Sequence, residues 1–279
     1  MKPEFKGLQR GRKNSVAVFQ SEDGTASVSL CRVPFSSTSK DLRPAIELYQ
    51  EGQRQQAIRF LHLCQAACPW QNADHFRLRL VLATLDLEAG QADAAWHQLQ
   101  RALSWRNQRE NEPILLNALP AITDVEWLAM ANIALHVNDF RTAEVYATKA
   151  IARTSHRPLA GVTELLHDSR ADAFTVLAAA RLRQRRFREA TLLLRLSRDA
   201  HAKAGDSEQV VVDLILSADI ELQSGSVDTA DHLVVEAGQI LLSECAYERH
   251  CRLNLLRKIV GQRHRAIRHR NRKWRAGLN

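Results

Sequence analysis

The chain has 279 residues, 45% hydrophobic and 25% charged, an ordinary globular composition that excludes a largely disordered protein. It contains no apolar run long enough for a spanning helix, and its 11 Gly and 7 Pro leave room for long uninterrupted helices. The formal net charge of +8 is unevenly placed. Residues 1–13 hold 5 basic residues against Glu4, and from Arg249 to the end 11 Lys and Arg stand without an acid. Between 14 and 248 that leaves 23 basic and 30 acidic residues, a body of about −7 with strongly positive ends. Such asymmetry assigns the ends a separate electrostatic role.

The opening MKPEFKGLQRGRKNS lacks an apolar core, so a secretory leader is not expected, and Glu4, Glu22 and Asp23 argue against a mitochondrial one. NSVAVFQSEDGTASVSLCRV alternates around Asp23-Gly24, a hairpin-turn dipeptide. Pairing across that turn puts Ala17, Phe19, Ala26, Val28 and Leu30 on one face. Residues 1–40 read as a hairpin docked on the first repeat or as a flexible arm, since an isolated hairpin is marginal in water.

From residue 41 a repeat takes over. LYQEGQRQQAIRFLHLCQAACP places Gly52, Ala57, Leu61 and Pro69 in order. A glycine ends one helix in a left-handed cap, and a small residue lets the next helix approach closely. The frame recurs with Leu82, Ala83, Gly90, Ala95, Leu99 and Ala102. It returns with Trp127, Met130, Ala131, Phe140, Ala143, Ala147 and Ala150, and again with Phe174, Leu177, Ala178, Phe187, Ala190 and Leu194. Leu214, Ala218, Gly225, Ala230, Val234 and Ala237 complete a fifth unit. Apolar residues at i, i+3 and i+4 predict helices throughout.

Over roughly residues 38–245 the chain resembles the tetratricopeptide-repeat (TPR) family. Unit starts near 38, 76, 124, 171 and 211 are wider than the family's strict period of about 34. The longer units are similar to those of bacterial signalling regulators. Arg79 stands where an aromatic is usual, and inserts are read at 104–123 and 153–170. The resemblance implies an all-α, right-handed superhelical solenoid of about five helix pairs (41–248), followed by a basic C-terminal capping helix and tail (249–279). Pairs of this kind bury their apolar faces only by stacking, which leaves a concave groove.

No enzyme motif is present: no glycine-rich phosphate loop, no H-E-x-x-H and no G-x-S-x-G. The acids Asp86, Glu88 and Asp93 read as solvated faces and a helix start. Cys64 and Cys68 lack the further ligands of a metal site, and the five cysteines read as small buried residues of a reducing cytoplasm. The expectation is a non-enzymatic cytoplasmic protein without cofactor or metal.

By the resemblance, the inner helices line the groove with Arg77, Thr84, Glu88, Asn132, His136, Arg183, Asp219 and Gln223. Leu42, Leu80 and Leu128 occupy places where a carboxylate clamp needs lysines, so that clamp is not expected. A protein or peptide held by Asn amide bonds and by Arg183 is the favoured ligand. In the tail, Leu253, Val260, Ile267 and Trp274 recur every seven residues, a narrow seam that docks the start of the helix and thins by Arg263, leaving the last turns exposed. The cations Arg263, Arg265, Arg268, Arg270, Arg272, Lys273 and Arg275, with Trp274 for stacking, suit nucleic acid or another polyanion. An acidic partner, an anionic membrane surface, the chain's own acidic body or a merely solubilising end are the other readings. Two overall functions compete: an adaptor or regulator with a groove ligand, and a nucleic-acid-binding protein whose solenoid presents the tail.

Overall fold

A computed structural model describes residues 17–20, 26–29, 44, 45, 48, 53–67, 74–110, 121–155, 169–243, 265 and 267. Among these residues stand one hairpin, β1 (Ala17–Gln20) and β2 (Ala26–Ser29), and nine helices. The helices are α1 (Arg54–Ala67), α2 (Asp74–Glu88), α3 (Ala92–Glu110), α4 (Asp124–His136), α5 (Phe140–Ser155), α6 (Ser169–Arg183), α7 (Phe187–Lys203), α8 (Ser207–Ser224) and α9 (Val227–Ser243). α3, α5 and α6 run into stretches read from sequence as inserts, so the extra chain is shorter than expected.

From α2 onward two kinds of helix alternate. From His75 to Leu87 every residue of α2 except Arg77 is buried, and so is every residue of α8 from Glu208 to Leu216. Helices buried this fully lie inside. The odd-numbered helices are amphipathic: α3 buries only Ala95, Leu99, Ala102 and Trp105, and α7 only Ala190, Leu194, Ser197 and His201. Each inner helix packs on the outer helix that follows it, each outer helix packs on the inner helix of the next pair, and successive inner helices touch; among the described residues the substantial helix contacts stay within a pair or between adjacent pairs. The result is an all-α, TPR-like solenoid. α1 is the outer helix of its first pair; buried Ala45, in one cluster with Leu61, Leu78 and Leu82, marks the place of that pair's inner helix.

Every described turn from inner to outer helix is built alike. Gly90, Asn138, Arg185 and Gly225 have φ of 81°, 61°, 60° and 89°. The next residue's N–H returns to a carbonyl of the last helical turn: Gln91 to Asp86, Asp139 to Ala134, Arg186 to Arg181 and Ser226 to Glu221, at 2.8–3.0 Å. This satisfies carbonyls that a helix end otherwise leaves orphaned. Five residues beyond each left-handed residue comes an alanine at 0% exposure: Ala95, Ala143, Ala190 and Ala230. A side chain this small lets the two helix axes close to about 8–10 Å.

The hairpin departs from the pairing expected. Its register sets Ala17 opposite Ser29, Val18 opposite Val28, Phe19 opposite Ser27 and Gln20 opposite Ala26. The connection spans residues 21–25, longer than the two-residue turn assumed, and a one-residue change of register flips a strand's faces. β2 approaches α4.

Arg185 carries a Cβ in the left-handed region, at a cost of about 1–2 kcal/mol. Arg185→Gly removes that strain against some loss of chain entropy, and a net stabilisation of about 0.5–1 kcal/mol is expected as a raised midpoint in urea unfolding. Asn138→Gly should change little, because Asn tolerates this conformation.

Candidate functional site

The residues expected to line a groove divide by depth. Thr84 (0% exposed) and Asn132 (1%) lie inside the stack, and Thr84 donates its hydroxyl hydrogen to the Leu80 carbonyl at 2.8 Å. Neither offers a surface to a ligand. Their helices are covered on nearly all sides, which residue type at one position does not reveal. Arg77 is half-buried and donates to Glu126 at 2.9 Å, so it serves a joint between pairs. The other five stand at the C-terminal ends of inner helices: Arg183 and Gln223 exposed, Glu88, His136 and Asp219 half-buried. His136 Nδ1 donates to the Asn132 carbonyl at 2.8 Å. Burial, with the Arg183 charge beside it, pushes this imidazole down to about 4, so it is neutral at ordinary pH. Of the three leucines standing where a clamp needs lysines, Leu80 and Leu128 are core residues and Leu42 lies outside the described residues.

One further expectation changes. Asp86 is buried rather than solvated, at the end of α2 where its carbonyl accepts the turn bond. Arg79, in the slot of the usual aromatic, is buried and donates to His75 Nε2 at 2.7 Å and Gln98 Oε1 at 3.0 Å. Burial, helped by Arg79, pushes His75 down to about 4, and its neutral ring nitrogen can accept that bond.

What the sequence did not announce is a row of buried polar contacts at the joints. At α2/α4, Glu126 completes a capping box with Thr123 and accepts from Arg77. At α4/α6, Ser169 donates to Asp124. At α6/α8, His201 of α7 donates from Nε2 to Asp172 at 3.1 Å and from Nδ1 to Asp213 at 2.9 Å. Thr175 donates to Asp213 at 2.7 Å, and Ser197 meets Thr175 at 2.6 Å and the Ala171 carbonyl at 2.9 Å. Counted back from the left-handed turn residue of each pair, Arg77 and Asp172 hold the same place, as do Glu126 and Asp213. One joint therefore pairs a cation with an acid, whereas the other brings two acids together and needs His201 between them.

Burial alone would lower the His201 pKa; the hydrogen bonds and charges of Asp172 and Asp213 outweigh it and push the ring up to about 9. Burial pushes the Asp213 carboxyl up, opposed by His201 and Thr175. A serine, a histidine and an aspartate in contact are also the ingredients of acyl transfer. Here Ser197, His201 and Asp213 are 0%, 2% and 0% exposed, and a ring already protonated cannot take a proton from the serine. This cluster is a joint.

Of the tail residues, only Arg265 lies within the described chain, where it is helical and exposed; Arg263, Arg268, Arg270, Arg272, Lys273, Trp274 and Arg275 lie outside it. Ile267 is helical, 0% exposed, and joins Ala218, Ala230 and Val234 of the last pair. Ile267, four residues beyond Arg263, thus lies in the seam between α8 and α9. No described helix is long and apolar enough to cross a membrane, and no group of metal-ligating residues occurs among the described residues.

No family model and no curated protein matches the chain. Among solved structures it is similar to a putative kinesin light chain with nearly identical TPR-like repeats from Podosopora anserina, at 19% identity and a TM-score of 0.48, covering 74% of this chain and 96% of that one. It is also similar to BtubC (BKLC) from P. vanneervenii, at 17% identity and a TM-score of 0.47, covering 87% and 93%. The apo form of RapI is similar at 11% identity and a TM-score of 0.48, covering 85% and 88%.

A group whose pKa rises on folding stabilises fully below its unfolded value, here 6.5, and loses that contribution as pH climbs through its folded value, here about 9. Unfolding free energy should therefore fall between these values by on the order of 3 kcal/mol. His201→Gln should flatten this alkaline slope, as measured by urea unfolding at a series of pH values.

Proposed function

We propose that the protein is a non-enzymatic adaptor or regulator of the TPR-like kind, acting in the cytoplasm. It holds a protein or peptide along its inner helices and touches a polyanion through its basic C-terminal helix. In this reading residues 1–40 are an arm, 41–248 the solenoid, and 249–279 the capping helix and tail. One observation carries it: Ile267 is fully buried on the last pair while Arg265, two residues earlier, is exposed. An apolar peg at Ile267 and an exposed cation at Arg265 support a helix whose charge faces outward. Support for the groove ligand comes from the polar edge of Glu88, His136, Arg183, Asp219 and Gln223, where Arg183 suits a carboxylate fork. The nucleic-acid reading draws on the acid-free run from Arg249, which suits phosphates held without base reading.

Removing residues 261–279 would uncover the apolar surface under Ile267, so substitution is the better test. With Arg263, Arg265, Arg268, Arg270, Arg272, Lys273 and Arg275 changed to Gln, retention on a phosphate-bearing resin below about 0.2 M salt should vanish at unchanged melting temperature. Undiminished retention sinks the polyanion role. For the groove, Arg183→Ala with Gln223→Ala should lose the partners that the wild-type chain recovers from nuclease-treated lysate, again without altered melting. Recovery of the same partners rules out this edge as the contact.

A further inference from the structure

Between α3 and α5, beside the start of α4, lies a cleft of about 670 Å³. Trp127 and Tyr146, half-buried with ring centroids 5.5 Å apart, form one wall, and Leu103 and Ile122 extend it. Burial, with Asp139 adding, pushes Tyr146 up, so the wall's hydroxyl stays neutral at ordinary pH. On the α3 side Arg106 and Glu110 neutralise one another at 2.7 Å. On the α5 side Lys149 and Arg153 stand one helical turn apart, both exposed, with the Lys149 ammonium 4.4 Å from the centre of the Trp127 ring. Like charges at this spacing repel. The cleft is thus an apolar wall under a net positive rim, set in a body of about −7.

We propose that this cleft binds an acidic peptide segment with an apolar anchor. Its carboxylates meet Lys149 and Arg153 in charge-assisted hydrogen bonds, and the anchor lies on Trp127 and Tyr146. Sign excludes the chain's own ends as occupants, since both are basic. A nucleic-acid strand fits less well, because the two cations of the rim hold too few phosphates. The cleft lies among outer helices, apart from the inner-helix edge, so this inference goes beyond the functional reading above and fails separately from it.

The test is fluorescence anisotropy at 0.15 M salt with the full chain and a labelled Glu-Leu-Glu-Glu-Leu-Glu peptide. Lys149→Glu with Arg153→Glu, both on exposed side chains, should weaken binding at least about tenfold while melting stays unchanged. Hexaglutamate, lacking the anchor, should bind the wild-type chain about fivefold more weakly. Because both chains keep the same basic tail, the difference reports on α5 alone. The proposal is overturned if wild-type chain does not bind the peptide, if the double variant binds it equally, or if hexaglutamate binds as tightly. An oligothymidylate that loses affinity by the same factor would reassign the cleft to nucleic acid and overturn it too.

Discussion

The stack depends on how closely each outer helix approaches its inner partner, and a column of alanines sets that distance. Ala57, Ala95, Ala143, Ala190 and Ala230 are all 0% exposed. Each admits the facing helix where a larger side chain would hold it off, and overpacking such a crossing costs about 1–3 kcal/mol. Close approach then brings the apolar remainder of each pair against the next, the burial that no pair achieves alone.

Apolar contact of this sort is permissive about order, whereas the polar joints are not. Arg77 meets Glu126, Asp124 meets Ser169, and Asp172 meets Asp213 through His201. A buried charge deprived of its partner costs about 3–5 kcal/mol. Because each joint has a different set of partners, a pair stacked out of turn would strand one of them, which is a physical reason for a single order of units.

The alanine column was legible because small residues recur in step with the turns, and helix periodicity is carried by the amphipathic outer helices. Depth was not. Thr84, Asp86 and Asn132 look like surface residues singly, and only the crowding of four neighbouring helices puts them inside. The His201 cluster joins residues far apart in the chain, each unremarkable in its own helix. Lining up the units would have exposed it: Ser197 stands in a column otherwise filled by Cys64, Ala102, Ala150 and Ala237, and His201 stands where α9 has Leu241.

Contacts that stop at the next pair have a further consequence for how such a chain varies. Residues 111–120 and 156–168 separate one pair from the next in sequence, while the turns inside the described pairs stay tight. In a bundle whose first and last elements touch, lengthening one connection disturbs partners across the whole fold. Here a longer connection concerns only the two units it joins. Lineages can therefore tinker with these seams, in length as in chemistry, while the rest of the molecule keeps its shape.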